Sequence, residues 1–418
     1  MERLSIIDIA AVKMKFKTMF SLKILQSLFI VICGFQLYMY YSLPYSIRNL
    51  LSSLSIIFLL LISYKQIFKK NYNVYYRIMQ WMFFSWTICM LDAWLFWGQD
   101  LSFGYRASSY FLFLIFFYFI ANKFKVMELE QLIVILGWLY VVLWLYAITK
   151  IPNVTFGYSS QGDIDDESRG FFRVNFTGRL SMIFAYFLYL CKYQVYKKNK
   201  YLIYASILCC FIVLQLTRQL ILWTGIVTLV YIFLSDKKKA ILFSLIFAFL
   251  FIGSTQIEFS NESILGSLIN LTNEQSKYAG EDIRIVEYRY FFTKWSPNLF
   301  TDIFGTGIPL GGGTAYGNYE EMLKWKHKLF LSDVGYGMMF AVTGALGLLL
   351  YLWLFFKCTF VKMPKELRYV NLFMGAMIPM NIAAAWYATA DTQICIAICA
   401  YLAYKYGDVK GFSAINKN

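Results

Sequence analysis

The chain contains one histidine in 418 residues, and neither that histidine nor a second cysteine pair stands near Cys395 and Cys399. Two cysteines spaced four apart on one helix face therefore lack the partners of a tetrahedral metal site, and small apolar packing is the reading that remains. The other cysteines, Cys33, Cys89, Cys191, Cys209, Cys210 and Cys358, fall in apolar runs or in loops expected inside the cell, which excludes a disulfide framework. Charge is scarce as well, at 15% of residues against 59% hydrophobic and 20% aromatic, with a mean hydropathy of +0.55. Such a composition excludes a soluble globular protein of this length. Residues 1–20 lack a small-residue cleavage site and carry lysines through their apolar part, so they are expected to form an interfacial amphipathic helix and not a cleaved signal peptide. No internal repeat is visible, and Asp92 is the one intramembrane carboxylate singled out, which disfavours a transporter with charges spread through its bundle.

What is present is a series of apolar runs, about twelve of them and each roughly 17 to 22 residues long, enough to cross a hydrocarbon core of about 30 Å. They cover 24–42, 47–64, 79–97, 105–121, 131–149, 171–190, 202–217, 219–234, 240–256, 335–356, 369–387 and 389–404. The fold class is thus an all-α polytopic membrane protein, one integral membrane domain over 1–418. A cytoplasmic N-terminus puts basic residues in every internal segment, 1–23, 65–78, 122–130, 191–201, 235–239, 357–368 and 405–418, and leaves both termini inside. That rule accounts for the 39 basic against 24 acidic residues, so the net charge is no argument for nucleic acid. One long hydrophilic segment is left, the outer (periplasmic) loop 257–333, expected to be partly helical and to carry part of a site.

The basic residues of the two sides differ in kind. The inner arginines are Arg3, Arg77 and Arg368; the outer ones are Arg48, Arg106, Arg169, Arg173, Arg179, Arg218, Arg284 and Arg289. Guanidinium is a planar fork of donors that holds its charge, suited to phosphate and carboxylate. An anionic ligand at the outer face is one reading of this bias. Snorkelling to headgroups, or pairing with Asp163, Asp165, Asp166 and Glu167, is the other.

Three outer stretches stand out. SRGFFRVNFTGRLSMIF brings Arg169, Arg173 and Arg179 to the mouth of one span, and LQLTRQLILW leaves Arg218 in a tight turn between two. In the long loop, EDIRIVEYRYFFTKW has apolar residues at 283, 286, 290 and 291, which predicts a short surface helix ended by Pro297. Arg284 and Tyr288 share one face of it, and Arg289 lies on another. The turn-rich GTGIPLGGGTAYG either lets backbone N–H groups approach a phosphate or forms a mobile lid. His327, between Lys326 and Lys328, reads as a solvated residue ahead of a base, and Asp92 is a candidate partner for an outer arginine.

These stretches resemble the bacterial O-antigen polymerase and ligase superfamily. LTRQLILWTGI is similar to its apolar run with a Thr-Arg at an outer turn, and the segment RIVEYRYFFTKWSPNLFTDIFGTG is similar to its Arg, aromatic, proline and Gly-x-Gly pattern. RGFFRVNFTG resembles its Gly-Phe-x-x-Asn pattern, at Gly170, Phe171 and Asn175. SDVGYGMMFAVTGALG matches a polar residue ahead of a Gly-x-x-Gly helix; the ligases have histidine at that place, and Asp333 here leans toward the polymerases. The resemblance implies a metal-independent glycosyltransferase without cofactors, which joins undecaprenyl-diphosphate-linked oligosaccharide units on the outer face of the bacterial inner membrane. Its implied catalytic residues are Arg218, Arg284 and Asp333. Substrate-binding residues would be Arg169, Arg173, Asn175, Arg179, Arg289 and His327, with Trp295, Tyr316, Tyr319 and Trp325 available to stack on sugars. The lipid bilayer, a chain-length regulator and a flippase are the implied partners, and no nucleic acid. Ligation of the glycan to a lipid or protein, or transport of the lipid-linked glycan, are the alternatives.

Overall fold

The computed structural model describes residues 21–121, 123–151, 153, 155–157, 174, 176–215, 217–235, 283–311 and 313–408. These residues are helical, with one isolated bridge between Tyr40 and Phe156 and no strand among them. In chain order the helices are α1 Leu22–Gly34, α2 Tyr45–Ile67, α3 Val74–Trp97, α4 Leu101–Ile120, α5 Val126–Ile148, α6 Arg179–Tyr196 and α7 Asn199–Leu214. They continue with α8 Arg218–Ser235, α9 Ile283–Thr293, α10 Leu299–Phe304, α11 Ala315–His327, α12 Gly335–Phe360, α13 Tyr369–Met380 and α14 Ala390–Tyr406. Of these, α2, α4, α5 and α12 are 4 helices long and apolar enough to cross a membrane, and α1, α7 and α8 are shorter apolar helices. The protein is thus an all-α membrane protein.

The helices do not follow the apolar runs one for one. The run 24–42 breaks after Gly34, because Gln36, Leu37, Tyr38 and Met39 take left-handed dihedrals with φ of 52, 54, 56 and 60°. Non-glycine residues there cost roughly 1–2 kcal/mol each. The turn is held by neighbours: Tyr41 N donates to Thr155 O at 2.8 Å, Gly157 N donates to Met39 O at 3.0 Å, and the Tyr38 ring stands edge-on to Phe35 and Phe176. The run 369–387 is helical only to Met380, and the described part of 171–190 becomes helical at Arg179. The run 240–256, the segment 257–282 and residues 1–20 lie outside the described residues.

Two helices are buried on every side. Residues 179–191 of α6 and 390–403 of α14 have no exposed position, the pattern of a helix enclosed by other helices. Association in lipid gains little from apolar burial and relies on close approach and polar contact. The sequence supplies the small side chains this needs: Cys395, Ala397, Cys399, Ala400 and Ala403 on α14, with both cysteines free and buried. On α5, a methyl added to Gly137 would come within 2.6 Å of Ala185 on α6.

Helix α12 contains a second backbone break. Gly344 sits at φ 65° and ψ −174°, which interrupts the helical ladder and frees the carbonyls before it. Thr306 N then donates to Ala341 O at 3.1 Å and Gly307 N to Val342 O at 3.0 Å. Side chains at Gly305 or Gly344 would strike the carbonyls of Val342 and Ile303 respectively. The Gly-x-Gly segment is therefore docked along α12 through its own N–H groups, and neither an open lid nor a phosphate cradle describes Gly305 to Gly307. Gly344→Ala is expected to destabilise the protein by about 1–3 kcal/mol, through left-handed strain and the lost approach; thermal unfolding in detergent checks it.

Candidate functional site

Between α13 and α14 the chain leaves the helix for residues 381–389, NIAAAWYAT, and the buried Asn381 shapes this loop. Its Nδ2 donates to Met377 O at 2.7 Å and its Oδ1 accepts from Tyr387 N at 2.9 Å, so one side chain closes both the helix end and the loop. A buried chain of polar groups supports the loop on its other side. Trp86 Nε1 donates to Tyr351 Oη at 3.3 Å, Tyr351 Oη donates to Gln393 Oε1 at 3.1 Å, and Gln393 Nε2 donates to Tyr387 O. A side chain at Gly335 would strike the carbonyls of Asn381 and Ala384. Space beside Gly335 is thus filled by this backbone and is not free for a sugar.

The three residues expected to be catalytic each flank an anchor on this loop. Arg218, half-buried, opens α8; the next residue, Gln219, donates to Ala383 O at 2.8 Å and accepts from Trp386 Nε1 at 3.2 Å. Arg284, also half-buried, lies one turn before Tyr288 on α9, and the Tyr288 hydroxyl donates to Ile382 O. Burial pushes the Tyr288 phenol up to about 12, which keeps it a donor at neutral pH. Asp333 accepts from Ser332 Oγ at 3.2 Å, and Ser332 O accepts from Ala385 N at 2.9 Å. Glu287, fully buried on α9, accepts from Phe330 N at 2.8 Å and so fixes the approach to Asp333.

Arg179 is 3% exposed at the start of α6. Its Nη1 donates to Thr217 Oγ1 at 3.2 Å, and its guanidinium carbon lies 5.5 Å from the centroid of the Trp386 ring. Behind it, Tyr140 Oη donates to Gln215 Oε1 at 2.9 Å. Asp391, also 3% exposed, accepts from Leu180 N at 3.0 Å through Oδ2, where the α6 dipole favours a negative charge. Arg179, Asp391, Trp386, Thr389, Tyr110 and Gln36 border a cavity of about 290 Å³. A guanidinium, a carboxylate, hydroxyls and an indole face around one small volume equip it for a polar ligand that carries anionic and hydroxyl groups.

The remaining expected residues fare differently. Arg289 is exposed on α9 away from the buried Glu287 and Phe291, and His327 is exposed at the last residue of α11. Arg169, Arg173 and Asn175 lie outside the described residues. Asp92 is buried and its Oδ2 has no hydrogen-bond partner among the described residues, the described outer arginines included. Trp295 and Tyr316 are buried and tied together through Thr306, whose Oγ1 accepts from Trp295 Nε1 at 2.8 Å and lies 2.6 Å from Tyr316 Oη; Trp97 stacks on Tyr316 at 4.5 Å. These two rings are structural and closed to a sugar, whereas Trp325 is exposed. Among the described residues, no cluster of three His, Cys, Asp or Glu side chains is placed to hold a metal. Trp386, Asp391 and Gln219 escaped the sequence reading; the signal that could have found them is AWYATADTQ, polar and charged residues interrupting an apolar run.

Gln219→Ala removes two hydrogen bonds and leaves Ala383 O and Trp386 Nε1 short of a partner, at a cost of about 1–3 kcal/mol for each group that stays buried. Faster amide exchange over 381–389, with α14 unchanged, is the expected result. No family model, curated protein or solved structure matches the chain.

Proposed function

We propose that this protein polymerises polyprenyl-diphosphate-linked oligosaccharide units into a surface polysaccharide, on the outer side of a bacterial cytoplasmic membrane that it crosses about twelve times. The observation that carries this reading is Arg179, a buried guanidinium on the face of Trp386 and on the wall of a small cavity. Arg218 and Arg284 flank the anchors of the same loop, which supports a cationic setting for a diphosphate. A guanidinium in a water-poor site stabilises developing negative charge far better than one in bulk water.

In this reading the bond between the donor's anomeric carbon and its diphosphate oxygen breaks, and the electron pair leaves with the polyprenyl diphosphate. Arg218 and Arg284 take up the charge that develops on that leaving group. The acceptor hydroxyl forms the new bond to the anomeric carbon, and its proton passes to Asp333. The positioned backbone around Ser332 and the Glu287 contact to Phe330 support Asp333 in that role.

Purified variants assayed with lipid-linked repeat units test the reading. Arg218→Lys keeps the charge and loses the planar fork, so polymer formation is expected to fall by at least about tenfold while the protein stays folded. Asp333→Asn is expected to lower the rate by roughly 10²- to 10⁴-fold, and His327→Ala to leave it nearly unchanged. The reverse order for Asp333 and His327 would favour a ligase that uses the histidine. Wild-type rates in Arg218→Lys would remove that residue from the site.

A further inference from the structure

We infer that the groove between α1 and α2 holds the polyprenyl tail of the lipid-linked donor, with Arg48 at its polar end. The inference rests on the glycosyltransferase reading above and locates a part of the substrate that reading leaves unplaced. The groove has a volume of about 520 Å³, and Phe29 and Cys33 of α1 face Leu51, Leu54, Ser55 and Phe58 of α2 across it. Phe29 is 68% and Leu54 51% exposed, so the groove opens on the outer surface of the bundle.

Its course carries the argument. The residue after Cys33 is Gly34 and the residue after Leu51 is Ser52, and both of these border the Arg179–Asp391 cavity. One end of an apolar furrow thus meets a chamber that carries the Arg179 guanidinium and the Asp391 carboxylate, a place for the polar head of an amphiphile whose tail lies in the furrow. From Leu25 to Cys33 the furrow runs about 12 Å at the helical rise of 1.5 Å per residue. A single furrow between two helices suits a lipid with one chain better than a phospholipid with two.

Arg48 supplies the independent observation. It lies one turn before Ser52 on the face of α2 that also carries Ser55, and it is 4% exposed. Its Nη1 donates to Gly157 O at 3.5 Å and its guanidinium lies 5.7 Å from the Tyr45 ring centroid, while Nε has no partner among the described residues. Among the described residues no carboxylate is paired with it, and a buried guanidinium carries a desolvation cost that an anion would offset. A diphosphate at the mouth of the groove is such an anion.

The test is photo-crosslinking of the full chain in phosphatidylcholine nanodiscs, with benzoylphenylalanine in place of Phe29 and tritiated undecaprenyl diphosphate as probe. The control site is Leu349 on α12, which is equally open to the outside. Labelling at position 29 is expected to exceed that at 349 by about tenfold, and to be displaced by unlabelled undecaprenyl diphosphate but not by phosphatidylglycerol. Arg48→Gln and, separately, Leu54→Trp should each reduce it several-fold; the second change sits on the exposed wall and spares the core. Equal labelling at both sites, or displacement by phosphatidylglycerol, would overturn the inference and mark an ordinary bilayer lipid. Labelling needs no turnover. Specific labelling without polymer formation would therefore sink the polymerase reading and keep the groove as a lipid site, and polymer formation with equal labelling would do the opposite.

Discussion

Residues 381–389 interrupt a helix inside an apolar bundle, and every backbone donor and acceptor this exposes has to find a partner within the protein. A buried group left unmet costs about 1–3 kcal/mol, so a loop of this length would be ruinous if several stayed open. The chain meets the demand from separate directions: Asn381 from within the loop, Gln393 from α14, Gln219 from α8, Tyr288 from α9, Ser332 from just ahead of α12 and Tyr336 from its first turn. Because each of those elements must reach the loop, their ends converge on it. The gathering of polar and cationic side chains at one place is a by-product of satisfying that backbone.

The same economy shapes the charged residues. Arg179 and Asp391 are both nearly sealed, and each is held by groups of its own. Asp391 is held by the amide of Leu180 at a helix start, and Arg179 by Thr217 and the Trp386 ring. A carboxylate fixed by a peptide dipole and a guanidinium fixed by an indole thus line the same cavity. Preorganised charge of this kind costs no rearrangement when a reaction begins.

Much of the helical architecture was legible from apolar runs, since a run that must span lipid as a helix leaves few alternatives. The short helix over Ile283–Thr293 followed from its periodicity, and the tight turn at Arg218 from the absence of any loop. What escaped was decided by backbone contacts between distant segments. Gly305, Gly307 and Gly344 read as turn or phosphate glycines, yet their role is to let two main chains touch. The left-handed turn Gln36–Met39 has no glycine to announce it and exists because Phe176 and residues 155–157 hold it in place. Trp295 and Tyr316 looked like sugar platforms because sequence gives their chemistry and not their burial. Asp391 was hidden inside an apolar run whose hydropathy drew attention away from its one carboxylate.

Helix α14 is enclosed on all sides and comes after every other described helix in the chain. It fills the slot between α6 and the middle of α4, which stands open in any chain that has not yet reached this helix. Until then Leu180 N lacks its carboxylate and Tyr351 its amide partner. The nascent bundle would expose unmet polar groups to lipid or translocon, and its late steps would be governed by a single insertion event. Quality control in the cell would accordingly read the presence of this one helix, and a chain interrupted before residue 390 would behave as unassembled throughout and not as a protein with one part missing.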